Sequence, residues 1–331
     1  MIPGSMKAIE FTAGGGPEVI SVVERPVPQP GPGEVLVKVA AAGLNRADSQ
    51  QRKGFYPPPP GASDIPGLEI SGTIVARGEG ATQYDDAAEV CALLTGGGYA
   101  EFVVVPEGQV FPVPRGVSLV EAAALPEVAA TVWSNLGMTA GIQAGEWVLI
   151  HGASGGIGTM AVQVCALLGA KPIVTGSSAE KLNYALGLGA VAAINYRTEN
   201  FAERVQEITE GHGADVILDV VGAEYLQDNV ASLAVDGRMV VIGLLGGRVA
   251  ELDLGQVLSR RLSILGTTLR ARPLEAKARI VAATLEHVWP LIVSGQVTIP
   301  VDNTFALADA RAAHEYFDGG DFLGKVLLTV E

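Results

Sequence analysis

The chain has 331 residues, 42 of them Gly and 48% apolar, and its 36 acidic against 22 basic side chains leave a net charge of −14. That length predicts about two domains with well-filled cores. The composition excludes a disordered chain, and two Cys (Cys91, Cys165) exclude a disulfide scaffold and a Cys-rich metal site, so the reading is a protein of a reducing compartment, cytoplasmic by default.

Residues 1–5, ahead of Met6, carry no charged-then-apolar signal pattern and read as a remnant or an alternative start. Residues 6–125 are β-rich: short runs at 35–39 and 72–76 are separated by Pro/Gly turns at 28–33 and 57–61. The character changes near Leu125. Strand-like and helical stretches then alternate, 147–150 before 157–168 and 172–175 before 179–188, followed by strands at 191–195, 216–221, 239–242 and 264–269. Such alternation predicts a parallel sheet wrapped by helices. The tail has a helical stretch at 306–317 and a final strand at 325–330, read as the return of the chain to its first domain. The uncharged window 147–170 is long enough to span a bilayer, but Gly152, Gly155, Gly156, Gly158 and Gly169 break it into strand, loop and helix, whose loop backbone lipid could not satisfy. A membrane is therefore not an expected partner. Nor is nucleic acid: phosphate neutralisation needs clustered Lys and Arg, and the densest group is the pair Arg260 and Arg261.

The sharpest motif follows the strand at 147–150. Gly152, Ala153, Ser154, Gly155, Gly156, Ile157 and Gly158 lead straight into an apolar helix. A strand, a glycine turn and a helix start form a dinucleotide cradle, in which small residues admit a pyrophosphate to the positive end of the helix dipole. In the G-x-G-x-x-G register the first position is Ala153, and Gly155 and Gly158 fill the second and third. The bland alternative is a tight strand-to-helix turn with no ligand. About 20 residues on, NAD enzymes place an acid for the ribose 2′-hydroxyl. Here Ser177, Ser178 and Lys181 stand at that place, a set suited to a 2′-phosphate, with Glu180 a little late for the acid role. Lys181 also reads simply as a solvated helix charge.

A β-rich domain, a Rossmann unit and a returning tail suggest the medium-chain dehydrogenases and reductases, some of which use zinc. His151, His212, His287 and His314 are all remote from Cys, and no C-x-x-C exists. At residues 66–69 (Pro, Gly, Leu68, Glu69), where zinc-dependent members carry Gly-His-Glu, Leu68 replaces the ligand, and residues 44–48 lack the catalytic Cys. The expectation is no metal. On residues 14–18, 44–48, 56–60, 96–101 and 269–272 the chain resembles the zinc-free quinone oxidoreductases related to zeta-crystallin, most closely the p53-inducible group, over nearly all of 6–331. It departs from them at Ala166 and at residues 86–90, where relatives show Val-Gly-Asp.

The resemblance implies an α/β medium-chain reductase: a GroES-like β-rich catalytic domain at 1–125 and 270–331, and a doubly wound Rossmann NADPH-binding domain at 126–269. It implies that Thr131 meets the nicotinamide amide and that Ser154, Gly155, Gly156, Ile157 and Gly158 hold the pyrophosphate. Ser178, Lys181 and Tyr196 would clasp the 2′-phosphate. Gly243, Leu244, Leu245, Thr268, Leu269 and Arg270 would line the nicotinamide ribose, with Lys325 nearby. Asn45 and Tyr56 would face the reacting acceptor in an interdomain cleft, although Asn45 also reads as a turn residue, Tyr56 as a packed aromatic and Asp48 as a helix-start carboxylate. The implied activity is zinc-free hydride transfer from NADPH to a quinone or related conjugated acceptor. Its alternatives are an enal or enone reductase and a crystallin-like NADPH-binding protein with little turnover. A homodimer paired near 263–269 is expected.

Overall fold

The computed structural model describes residues 2–330. Met1 and Glu331, both inside the range expected for the first domain, lie outside the described residues. The chain divides into two compact units, one made of Met1–Ala130, Leu269–Gly295 and Ile299–Glu331, the other of Thr131–Thr268 and Gln296–Thr298.

The first unit is built on strand Glu34–Gly43, whose Val and Leu side chains, the consecutive Val35, Leu36 and Val37 included, are buried. It pairs antiparallel with Glu69–Arg77, Phe102–Pro106 and Lys325–Thr329. Val35, Leu36, Val37, Ile70, Ile74, Val103, Val326 and Leu328 are buried together. Lys325–Thr329 also pairs in parallel with Val301–Ala306, so the tail completes the first unit's sheet. The expected helix at 306–317 is shorter at its start: residues up to Ala306 are strand, and the α-helix runs Ala310–Gly319. Ala87 has a φ of 64°, the left-handed conformation that glycine adopts more easily, at the turn where this sequence departs from its look-alikes.

The second unit carries a six-stranded parallel sheet in the order Ala192–Asn195, Lys171–Gly176, Trp147–His151, Ala214–Asp219, Leu233–Val241, Ser263–Gly266. Numbered along the chain that order is 3-2-1-4-5-6, the doubly wound arrangement whose strand order reverses beside the first strand. Leu149, Ile173, Ile194, Ile217 and Met239 fill one face of it. The last strand stops at Gly266, short of the expected Leu269, and forms the edge of the sheet. Among the described residues no helix is long and apolar enough to cross a membrane.

Candidate functional site

In the second unit, strand Trp147–His151 passes through Gly152, at φ 86°, into helix Gly156–Leu167. The N–H groups of Gly156, Ile157 and Gly158 fall in the first helical turn, where no carbonyl of the helix can accept them. Two glycines here do different work. A Cβ on Gly158 would stand 2.1 Å from the Gly152 carbonyl oxygen and 2.9 Å from the Ala153 carbonyl carbon, so its lack of side chain lets the helix close on the turn. A Cβ on Gly155 would meet nothing within 4 Å. Gly155 therefore borders open space, and this cradle fits a pyrophosphate brought against the backbone.

Apart from Thr131, which lies in helix Pro126–Val132, the other second-unit residues named from the sequence follow the carboxyl ends of neighbouring parallel strands. Ser178 follows Lys171–Gly176 and caps helix Ala179–Gly187, its Oγ accepting the Lys181 N–H at 3.4 Å. Tyr196 follows Ala192–Asn195, donates its N–H to the Gly176 carbonyl at 3.2 Å and is 41% exposed. Gly243, Leu244 and Leu245 follow Leu233–Val241, with Leu244 and Leu245 exposed and Gly243 tight against Val220. Thr131 is buried, and its carbonyl accepts the Asn135 amide at 2.7 Å. Asn135 Oδ1 accepts the Thr267 hydroxyl at 2.5 Å, tying Thr131 to the segment ending in Thr268. Asn135 gave no signal in the sequence, because one Asn in an apolar helical run has no pattern.

A cluster of buried polar side chains occupies the first unit. Asn45 caps helix Arg46–Arg52, and its N–H is accepted by Asp48 at 2.9 Å, which bears out the helix-start reading of Asp48. Asp48 also accepts from Gly67 N–H and the Tyr99 hydroxyl, each at 3.2 Å. Full burial pushes the Asp48 carboxyl up to about 6, against the pull of the Asn45 N–H and of Lys325. The Asn45 amide does more than cap: Nδ2 donates to Glu69 at 2.9 Å and Oδ1 accepts from Lys325 at 2.7 Å. Lys325 gives its remaining protons to Leu44 O and Glu69, so all three ammonium donors are engaged inside the unit. Leu269 and Arg270 are buried, and the Arg270 guanidinium lies 5.5 Å from the centre of the half-buried Tyr56 ring. Lys277, 1% exposed, donates to the Thr95 hydroxyl, and burial pushes its ammonium down to about 8. Sequence reasoning missed Lys277, since a lysine in a helix reads as surface.

His151 ends the strand beneath the glycine turn. Its ring nitrogens lie 2.9 Å from Thr175 Oγ1 and 2.7 Å from Asn229 Oδ1, and Phe201 and Tyr225 pack edge-on against it. Burial lowers it to about 4, with the Asn229 bond opposing. The folded value lies below the unfolded one, so the neutral ring costs nothing above about pH 6.5, and stability falls as pH drops from there to about 4 because the unfolded chain takes the proton first. The expected loss is on the order of 1.4 kcal/mol per pH unit inside that window. Urea midpoints across the window, compared with His151→Gln, check it: the variant should lose that part of the slope, and an unchanged slope would refute the assignment.

Residues 31–115 match the alcohol dehydrogenase GroES-like domain family and residues 156–285 the zinc-binding dehydrogenase family. A Pseudomonas aeruginosa protein named quinone oxidoreductase is 35% identical over 310 residues, covering 93% of this chain and 94% of that protein. The chain belongs to the quinone oxidoreductase family of medium-chain dehydrogenases and reductases. Among solved members, the Escherichia coli quinone oxidoreductase complexed with NADPH superposes at a TM-score of 0.88, with 32% identity over 98% of this chain and 99% of that one. A mycobacterial protein complexed with NADPH gives 0.89, also with 32% identity, over 98% and 99%. The GroES-like match lies inside the first unit, and the dehydrogenase match covers most of the parallel-sheet unit and runs on into residues 269–285 of the first. The name of the matched zinc-binding family raises the question of a zinc ion, and the residues present do not fit one. Leu68 has no donor atom, its neighbour Glu69 is paired with Lys325, and among the described residues no group of three His, Cys, Asp or Glu could hold a metal.

Proposed function

We propose that this chain is an NADPH-dependent quinone oxidoreductase that reduces a quinone or a related conjugated acceptor. The observation that carries the reading is the open glycine turn, with Ser178 and Lys181 in place of an acid beyond the second strand, in a chain whose relatives bear that name. NADPH, when bound, supplies the hydride. The chain's own part is to bind and orient. The first-turn N–H groups after Gly155 receive the pyrophosphate, and Ser178, Lys181 and Tyr196 receive the 2′-phosphate, a charge-assisted contact contributing on the order of 1.5–3 kcal/mol. Thr131, the 243–245 turn and the 268–269 segment border the nicotinamide half. Asn45 and Tyr56 hold the acceptor, whose conjugation already stabilises the developing oxyanion, so neutral donors suffice and positioning dominates. Lys325, fully engaged with Asn45 and Glu69, acts by fixing Asn45.

Titration with NADPH and NADH, alongside turnover with quinones and an enal, tests this. NADPH should be preferred, and Lys181→Ala should cost at least about tenfold in NADPH affinity while leaving NADH nearly unchanged. Equal affinity for the two cofactors would refute the phosphate assignment. Preference for the enal would favour a double-bond reductase, and tight NADPH binding without turnover a crystallin-like role.

The same reading includes a homodimer formed through the edge strand Ser263–Gly266, and a cytoplasmic setting in which the buried, unpaired Cys91 and Cys165 stay reduced. Leu258, 81% exposed on the helix Leu254–Arg260 that leads into that strand, supports the dimer. Light scattering should give twice the 34.1 kDa chain mass, and a monomer at micromolar concentration would refute it.

A further inference from the structure

We propose that Arg270 is a positioning residue for the acceptor: its buried guanidinium fixes the Tyr56 segment against the Thr95 loop, and its side chain does not contact the cofactor. The proposal rests on the reading above in one respect, that Tyr56 meets the acceptor.

Each edge of the guanidinium is engaged within the first unit. Nε donates to the Thr95 carbonyl at 2.7 Å, one terminal nitrogen to the Tyr56 carbonyl at 3.3 Å, and the other to Gln51 Oε1 at 2.7 Å. The guanidinium carbon also lies within cation–π range of the Tyr56 ring, and only 5% of the residue is exposed. A planar fork with fixed donor directions can span three acceptors from three separate segments. Three of its five N–H donors are thus committed to the first unit, and a residue only 5% exposed presents little surface to a cofactor.

The segment that Arg270 holds is poor in backbone donors. Residues 57–60 are four consecutive prolines without N–H donors, Gly54 and Gly61 flank the stretch at φ 82° and 83°, and Phe55 is 78% exposed. The Tyr56 N–H reaches Gln50 O at 3.2 Å, a bond back to the preceding helix. On the opposite side the anchor is firm. Thr95 is bound twice, its carbonyl by Arg270 and its hydroxyl by Lys277, so two buried cations hold the point against which Tyr56 is fixed. Burial pulls the Arg270 guanidinium below its ordinary value, and Asp48, buried in the same unit, opposes that pull.

The experiment compares Arg270→Gln, Arg270→Lys, Gln51→Ala and Tyr56→Leu, reading NADPH affinity by direct titration, quinone KM and kcat separately, and amide exchange over residues 51–63. Arg270→Gln should raise the quinone KM about tenfold, with a smaller effect on kcat, because the acceptor is misplaced. NADPH affinity should stay within about twofold, and exchange over 51–63 should rise. Arg270→Lys should fail to rescue, since a point charge cannot reproduce the fork. Gln51→Ala, which removes one partner and leaves the charge, should shift the same readouts in the same direction by less, and it keeps the test open if Arg270→Gln does not fold. In a Tyr56→Leu background, Arg270→Gln should add less than about twofold to KM, the non-additivity expected of a residue acting through another. A tenfold loss of NADPH affinity with the quinone KM unchanged would overturn the proposal, and so would unaltered exchange over 51–63. Should the wild-type protein reduce no quinone, the functional reading falls, and the exchange and NADPH titrations still decide whether Arg270 holds this segment or the cofactor.

Discussion

Gly155→Ala is expected to leave the fold intact and to weaken NADPH binding by about 100-fold, which is about 2.7 kcal/mol. Gly158→Ala, three residues away, is expected to damage the second unit before any ligand is added. Gly155 sits at φ −76° and ψ 169°, extended backbone that alanine adopts freely, and its new Cβ would touch nothing in the protein. The methyl group enters only the space where the backbone must approach the pyrophosphate. At Gly158 the same methyl would meet two backbone atoms, the Gly152 oxygen at 2.1 Å and the Ala153 carbonyl carbon at 2.9 Å, and backbone cannot swing aside as a side chain would. The helix must move off the turn, an overpacking cost of about 1–3 kcal/mol or more. Thermal melts without cofactor, paired with calorimetric titration, separate the two. If Gly155→Ala binds NADPH as tightly as the wild type, the pyrophosphate is not held at this turn.

That contrast also marks how far the sequence could be read. The strand, glycine turn and helix are contiguous in the chain, so their periodicity and their glycines announced the Rossmann unit, and the run of apolar segments announced a parallel sheet. What depends on distant partners stayed hidden. The longest helix of the tail, Leu274–His287, was not picked out, in part because Lys277 breaks its inward face with a charge. Glu69 and Lys325 are 256 positions apart, and nothing local says that they meet. Arg270 was placed beside the cofactor by resemblance, and its three bonds to Gln51, Tyr56 and Thr95 exist only once the tail has folded back. Nothing local marks His314 as fully buried between Phe11 and Tyr99, with Nδ1 3.2 Å from the Arg52 guanidinium, because that depends on its helix lying on the strands of the first unit.

Lys325→Met should be the most damaging single change in the first unit, costing about 3–5 kcal/mol, the range for breaking a buried ion pair by removing one partner. Lys325 is 3% exposed and Glu69 fully buried, with the ammonium shared among Glu69, Asn45 and Leu44 O. Methionine fills most of the volume, so the loss is electrostatic: the Glu69 carboxylate keeps only its bonds from Asn45 Nδ2 and the Glu127 N–H, at 2.9 Å each, and no cation. Glu69→Gln in the same chain removes the stranded charge while retaining an oxygen for Glu127 N–H. The double variant should therefore recover at least about 2 kcal/mol relative to Lys325→Met, because a matched neutral pair avoids the desolvation that a lone buried ion cannot. Denaturant unfolding of the wild type, both single variants and the double variant gives the coupling directly. Additive single effects, or a Lys325→Met cost below about 1 kcal/mol, would mean that water reaches Glu69 and that the pair does not hold Asn45 in place.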